Sequence, residues 1–170
     1  GVVSVSGTLD ASRTTNGQVG GTVKVPGDKV GLFDHAGIDV SGVGAGGTAP
    51  VGGNFQGKGP ERNASATYVG KDVSIYADAV GMGDGGKVIV WADDVTRYFG
   101  SISAKGGMHG GNGGFVETSG KIYLVVDGVV STQAAKGHTG TWLLDPQDIE
   151  VVNAGAVNYS AGVNNLFANN

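Results

Sequence analysis

The stretch Gly113–Pro146, GGFVETSGKIYLVVDGVVSTQAAKGHTGTWLLDP, decides how the chain is to be read. It opens on paired glycines, alternates apolar and polar residues, turns, runs again, restarts at a glycine for a third short run and returns to glycine. Such a unit cannot bury its apolar face alone, so neighbouring copies must stack to make a core. Copies align on Gly21, Gly53, Gly86, Gly114 and Gly140, at spacings of 32, 33, 28 and 26 residues. Two residues on stand Val23, Phe55, Val88, Val116 and Trp142, and two further on Val25, Gly57, Val90, Thr118 and Leu144. That is the period of a strand with one buried face.

A second run follows in most units: Val30 and Leu32, Val73 and Ile75, Ile122 and Leu124, Ile149 and Val151. A third begins at a glycine and carries Leu9 and Ala11, Ile38 and Val40, Ile102 and Ala104, Val130 and Thr132. In the opening stretch this register sends Val116, Ile122, Leu124, Val130, Trp142 and Leu144 to the core and Glu117 and Lys121 to water. Helical periodicity never persists for about ten residues, and glycine interrupts every candidate. The expected fold is all-β: a parallel β-helix (β-solenoid) of about three short strands per coil. A β-sandwich shares the short strands and turns but not the recurrence of residue type at equivalent positions. About six coils at roughly 4.8 Å each make a rod on the order of 30 Å long.

Composition supports this reading and removes others. Of 170 residues 34 are glycine, without the triplet period and abundant proline of collagen, while 39% apolar content argues against simple disorder. Eleven basic against 15 acidic residues give a net charge of -4 with no basic cluster, so nucleic acid is not an expected partner. There is no cysteine, hence no disulfide frame or thiolate metal site, which also suits a chain that crosses a membrane unfolded. No apolar run approaches a membrane helix and no signal peptide stands at Gly1, so membrane insertion is not expected and the chain reads as a mature, processed piece.

Coils are expected over residues 1–153, with a loop excursion near 52–68, GGNFQGKGPERNASATY, where apolar residues are scarce. Residues 154–170 are assigned to a terminal coil, a cap or a linker to a further domain.

The blocks GKVIVWA (86–92), GGFVETSGK (113–121) and GTWLLDP (140–146), in this order, together with GNFQGKG (53–59) and Asn63-Ala64, resemble the haemagglutinin-repeat passengers of two-partner secretion exoproteins, the filamentous-haemagglutinin-like adhesins of Gram-negative bacteria. The likeness covers about residues 20–152. It implies a right-handed parallel β-helix exported through an outer-membrane transporter partner and then secreted or held at the cell surface. The family's amino-terminal secretion module carries Asn-Pro-Asn signatures, and this chain has no Asn-Pro pair, which places it as the segment just beyond that module. Such rods serve as adhesins, biofilm-matrix components or stalks. A receptor or glycan on a host or neighbouring cell and an end-to-end homo-oligomer are the further partners this implies.

Some β-helices cleave acidic polysaccharides with an aspartate group, bound calcium and a basic residue, and Asp93, Asp94, Arg97, Asp78 and Glu117 are the matching types here. Adjacent Asp93 and Asp94 diverge in a turn, so solvated turn carboxylates are expected. His35, His109 and His138 lie near glycine corners without ligand spacing; His109 and His138, 29 residues apart, fall on one edge if coils stack in register. The segments 42–47 and 81–86 match the spacing of a dinucleotide loop, but Gly86 leads into a strand, whereas that loop needs a following helix. Aromatic residues Trp91, Tyr98, Phe99, Phe115, Tyr123 and Trp142 are a candidate sugar-stacking strip. Trp91 and Phe115 fall on the outward register and, with Arg62 in the loop, are the candidate surface or interface contacts. No catalytic, metal or cofactor site is expected. A self-assembling filament or matrix subunit and a β-helical polysaccharide lyase or hydrolase are the alternative functions, behind a non-enzymatic adhesin rod or stalk.

Overall fold

The computed structural model describes residues 1–146; the segment assigned to a cap or linker and the run at Ile149 and Val151 lie outside them. The described chain winds through five coils. The first holds β1 (Val2–Val5) and β2 (Thr8–Asp10), the second β3 (Lys29–Leu32), β4 (Gly37–Asp39) and β5 (Thr48–Val51). The third holds β6 (Ala66–Val69), β7 (Ser74–Tyr76) and β8 (Lys87–Ala92), the fourth β9 (Val95–Tyr98), β10 (Ser101–Ser103) and β11 (Phe115–Gly120). The fifth comprises β12 (Tyr123–Val126), β13 (Val129–Ser131) and β14 (Thr141–Leu143). Every strand pairs in parallel with its equivalent one coil away. Three sheets result: β1-β3-β6-β9-β12, β2-β4-β7-β10-β13 and β5-β8-β11-β14. In the first coil Thr22 and Val25 bridge to Thr48 and Val51, extending the third sheet by one rung. The fold is the expected β-solenoid; its five rungs span about 20 Å.

The core is a set of side-chain columns. Leu9, Ile38, Ile75, Ile102 and Val130 stack in the second sheet. Ala49, Val88 and Val116 stack in the third, beside Val51, Val90 and Thr118. Leu32, Val69, Tyr98 and Val126 stack in the first. Val51, Val88, Val90, Val116 and Tyr98 are all 0% exposed. Two buried threonines serve the corner between the third and first sheets. Thr67 Oγ1 donates to the Trp91 carbonyl at 2.7 Å and Thr96 Oγ1 to the Ser119 carbonyl at 2.7 Å, satisfying acceptors that otherwise stay unpaired in the interior.

The paired glycines clamp the corner between the second and third sheets. The amides of Gly21, Gly47, Gly86, Gly114 and Gly140 donate to the carbonyls of Ala11, Val40, Ala77, Ala104 and Thr132 of the same coil, at 2.7–2.8 Å. These chain segments run so close that a Cβ on Gly114 would sit 2.1 Å from the Gly86 carbonyl oxygen, and one on Gly86 2.2 Å from that of Gly47. Side chains are excluded there by contact. Between Thr132-type carbonyls and these glycines the corner loops form a polar spine: Asn112 N donates to Asp84 Oδ1 at 2.7 Å and His138 N to Asn112 Oδ1 at 2.9 Å.

The clamp corrects the repeat alignment. Gly47, not Gly53, opens the second unit, so Ala49 and Val51 occupy the positions assigned to Phe55 and Gly57. Spacings become 26, 39, 28 and 26 residues along Gly21, Gly47, Gly86, Gly114 and Gly140, and the long one contains the loop. That loop covers 52–64, because Ala66–Tyr68 already belong to β6. Val73 and Ile75 are displaced with it: Ile75 pairs with Ile38 and Ile102 of the second sheet. Ile122 precedes β12 and is 44% exposed; Leu124 and Val126 take the inward positions beside Thr96 and Tyr98. Trp142 and Leu144, assigned to the core, are each 37% exposed, as they lie on the last described rung.

Val90→Asp places an uncompensated charge in the closed column and is expected to cost at least about 3 kcal/mol, whereas Lys87→Asp on the exposed start of β8 is expected to cost under about 1 kcal/mol. Urea denaturation of the two variants checks the register; equal midpoints would overturn it.

Candidate functional site: the strapped face of the third sheet

Outward positions on β8 and β11 alternate with the core columns; beyond Lys87 and Phe115 at the strand starts they are Ile89, Trp91, Glu117 and Ser119, all buried although they face away from the core. They are buried because residues 52–64 leave the coil after Val51 and cross this face as a strap. The strap is closed at its base by Ala64 N donating to the Gly52 carbonyl at 2.6 Å, the form of a compact Ω-like loop. Its 3₁₀ turn, Phe55–Gly57, holds Gln56 at φ 53°. Gly57, at φ +63°, lies flat on Trp91: a Cβ there would be 2.7 Å from the indole. A side chain at Gly57 would thus meet both a left-handed backbone and the ring.

Polar contacts fasten the strap at each end. Lys24 Nζ donates to Glu61 Oε1 at 2.6 Å and Asn54 Nδ2 to Glu61 Oε2 at 2.6 Å; the Lys24 bond, then that of Asn54, holds the Glu61 carboxyl below the usual range. Arg62 pairs with Asp28 at 2.9 Å while remaining 82% exposed. Asn63 Nδ2 donates to the Gly57 carbonyl at 2.8 Å and to Asp93 Oδ1 at 3.0 Å, and Asp93 Oδ1 also accepts Trp91 Nε1–H at 3.1 Å. Phe55 meets Phe115 edge to face at 5.6 Å, and the Lys87 ammonium lies 4.8 Å from the Phe55 ring centroid and 5.6 Å from that of Phe115, a cation–π contact at the rim.

Glu117 is the most heavily desolvated carboxylate of this face, at 0% exposure. Both oxygens accept the Gln56 amide, at 3.1 and 3.2 Å. Burial pushes its carboxyl above the usual glutamate range; the Gln56 and Ser119 hydrogen bonds oppose the rise, Asp145 adds to it and Lys87 opposes it. The period-two register placed Glu117 on the outward side, which is where it lies, but expected water there; the strap supplies the cover.

The remaining candidates are dispersed. Trp91 lies on the outward register but is only 4% exposed, so it is packed under the strap and not open to a partner; Phe115 is half-buried at the strap's edge and Arg62 is at the surface. Asp93 is engaged within the strap, Asp94 is exposed, and Asp78 accepts Ser103 Oγ at 2.7 Å and Lys105 N at 2.6 Å at a different corner. Arg97 faces outward on the first sheet. His35, His109 and His138 are exposed, and His138 stacks over Asn112, not over His109. Among the described residues no three His, Asp or Glu side chains converge as a metal site. The glycine segments 42–47 and 81–86 are corner loops entering β5 and β8. Tyr98 is core, its hydroxyl donating to the Val129 carbonyl at 2.6 Å and its phenol pushed up by burial. Trp142 Nε1 donates to Thr118 Oγ1 at 2.9 Å. Tyr68, absent from the aromatic candidates, joins Phe33 and Phe99, with ring centroids 5.3 and 5.9 Å apart. Among the described residues, no helix is long and apolar enough to cross a membrane.

No protein-family model matches the chain, and no curated protein sequence matches it. Among solved structures, it is similar to the crystal structure of the HMW1 secretion domain from Haemophilus influenzae, at 31% sequence identity and a TM-score of 0.65, over 85% of this chain. The chain spans 38% of that neighbour's length. The fold is therefore a β-solenoid shared with a secretion domain.

Because Glu117 binds its proton more tightly folded than unfolded, its contribution to stability is greatest at low pH and falls as pH rises from the unfolded value of about 4.3 through the raised folded value. Glu61, held low, runs the opposite way, losing its contribution as pH falls. Glu117→Gln keeps an acceptor for Gln56 and is expected to remove the first slope only, so the wild-type-minus-variant melting temperature should decline as pH rises from about 4 to 8. A flat difference would overturn the assignment. Glu117→Ala, which strands the Gln56 amide, is expected to cost about 1–3 kcal/mol near pH 4 and less as pH rises.

Proposed function

We propose that the chain is a non-enzymatic structural segment of a bacterial exoprotein, secreted or displayed at the surface of a Gram-negative cell, where it acts as an adhesin rod or stalk. One observation carries this reading: a continuous parallel ladder through the described residues, joined to 31% identity with a secretion domain over most of the chain. The residue blocks at 86–92, 113–121 and 140–146 support the same reading through their resemblance to two-partner secretion exoproteins. In that setting export runs through an outer-membrane transporter. A cysteine-free chain suits it, since the core columns here need only backbone pairing and apolar stacking to form after passage.

The full-length protein, co-expressed with an outer-membrane transporter of the two-partner secretion type, is expected outside the cell or on its surface, and omission of the transporter is expected to hold it in the periplasm. Cells bearing it are expected to adhere to a host-cell or abiotic surface better than cells lacking it. Unchanged export without the transporter would overturn the secretion reading, and unchanged adherence the adhesin reading.

A further inference from the structure

The first sheet keeps an open groove of about 320 Å³ on its outward side, floored by Ser4, Gly31 and Ala66, whereas the third sheet lies under the strap. The strap is held in a way the ladder is not. Backbones of β8 and β11 pair with a neighbouring strand on each side, while residues 52–64 add no rung to that ladder. Its outer fastenings are side chains: Lys24 to Glu61 and Arg62 to Asp28, both partly exposed, and Asn63 to Asp93. In the middle Gln56, in a left-handed backbone conformation, directs its amide at both Glu117 oxygens. A segment outside the ladder opens at a lower free energy than the strands beneath it.

We infer that the strap is a proton-gated cover: it lies closed on Trp91 while Glu117 is neutral and lifts from the sheet when Glu117 ionises, uncovering an aromatic face with the ladder intact. The inference goes beyond the adhesin reading and does not depend on it. Glu117 is fully buried, and no cation forms an ion pair with it among the described residues. The charged groups around it are engaged elsewhere. On the strap, Lys58 donates to Gln56 Oε1 at 2.9 Å, Glu61 is bound to Lys24 and Arg62 to Asp28. On the β8 side, Lys87 lies over the Phe55 and Phe115 rings, and Asp93 is bound to Asn63 and Trp91. From the fifth coil, Asp145 brings a second negative charge toward it. Ionising Glu117 under cover forfeits its hydration, and lifting the strap restores water there. Because burial makes the covered Glu117 hold its proton more tightly than the uncovered one, closure is strongest at low pH and weakens as pH rises above about 4.3. Glu61, held low, runs the opposite way and stays ionised through that rise.

Trp91 and Trp142 are the two tryptophans of the chain, so in a Trp142→Phe background acrylamide quenching of fluorescence reads the cover over Trp91 directly. Between pH 5 and pH 8 quenching is expected to rise at least about threefold, with unchanged far-ultraviolet circular dichroism. Glu117→Gln in the same background is expected to resist quenching equally at both ends of the range. Asp145→Asn, which removes a negative charge at an exposed position, is expected to diminish the rise, and it decides the matter if Glu117→Gln melts early. Quenching independent of pH would overturn the inference, as would a rise undiminished in Asp145→Asn. So would a rise that persists in Glu117→Gln, the result that histidine titration produces, or one accompanied by loss of the β signal, the mark of a whole rod unfolding.

Discussion

Everything in this rod hangs from an opening glycine whose amide donates to a carbonyl of its own coil and whose carbonyl accepts an amide of the next. Within a coil, the amide of Gly86 is bound by the Ala77 carbonyl; one coil on, the Gly86 carbonyl accepts the amide of Phe115. Each such glycine therefore closes its own coil and registers the next. Because the closing bond joins the two ends of the corner directly, the length of chain between them is free to vary. Six residues lie between Val40 and Gly47 and nine between Ala104 and Gly114, yet the strands on either side remain in register. A parallel ladder tolerates no insertion inside its strands, so every irregularity is expelled to corners, and the strap is the largest expulsion.

That constraint explains which parts of the fold were legible from the residues. Alternation within strands depends on immediate neighbours, and so Val88, Val90 and Val116 are directed inward by sequence alone. Register between coils depends on choosing the right glycine, and a chain with a glycine pair at 46–47 and another at 52–53 offers two. The second is a decoy: Gly52 starts the strap with φ +77° and Gly53 lies against Trp91. Choosing it moved the unit by six residues, which hid β6 inside the loop and set Ile75 in the wrong column. Thr67 added to the concealment, since a polar residue in a core column looks like loop until its hydroxyl is seen to bind the Trp91 carbonyl.

The candidate site was less legible, for a related reason. Glu117 and Trp91 are directed outward by the same alternation that directs their neighbours inward, and outward ordinarily means solvent. Their burial is decided by Gln56, 61 residues before Glu117, and by Gly53 and Gly57, whose lack of side chains lets the strap lie flat. Nothing in the local pattern around residue 117 encodes this. The sequence sign that does exist is the strap's own composition: a loop holding Asn54, Glu61, Arg62 and Asn63 carries its fastenings in four polar side chains, each of which meets a partner.

The strap also bears on where a solenoid of this kind puts function. Three outward faces are available, and covering one removes it from contact with partners while adding a layer to a rod only three short strands around, with Ile89 and Trp91 buried in it and Phe55 against Phe115 at its rim. Small solenoids bury little apolar surface per coil, so this second layer is a stabilising addition where the ladder itself admits none. On the first sheet, glycine at Gly31 and Gly70 has the opposite effect: Phe33 leans over Gly31 and Tyr68 beside Gly70, with Phe99 against Tyr68. One face thus gains an overlay because glycines in a loop let it descend, and the other keeps a groove because glycine and small residues in the strands leave a hollow. The same residue type therefore separates scaffold from accessible surface according to whether it stands in the ladder or above it.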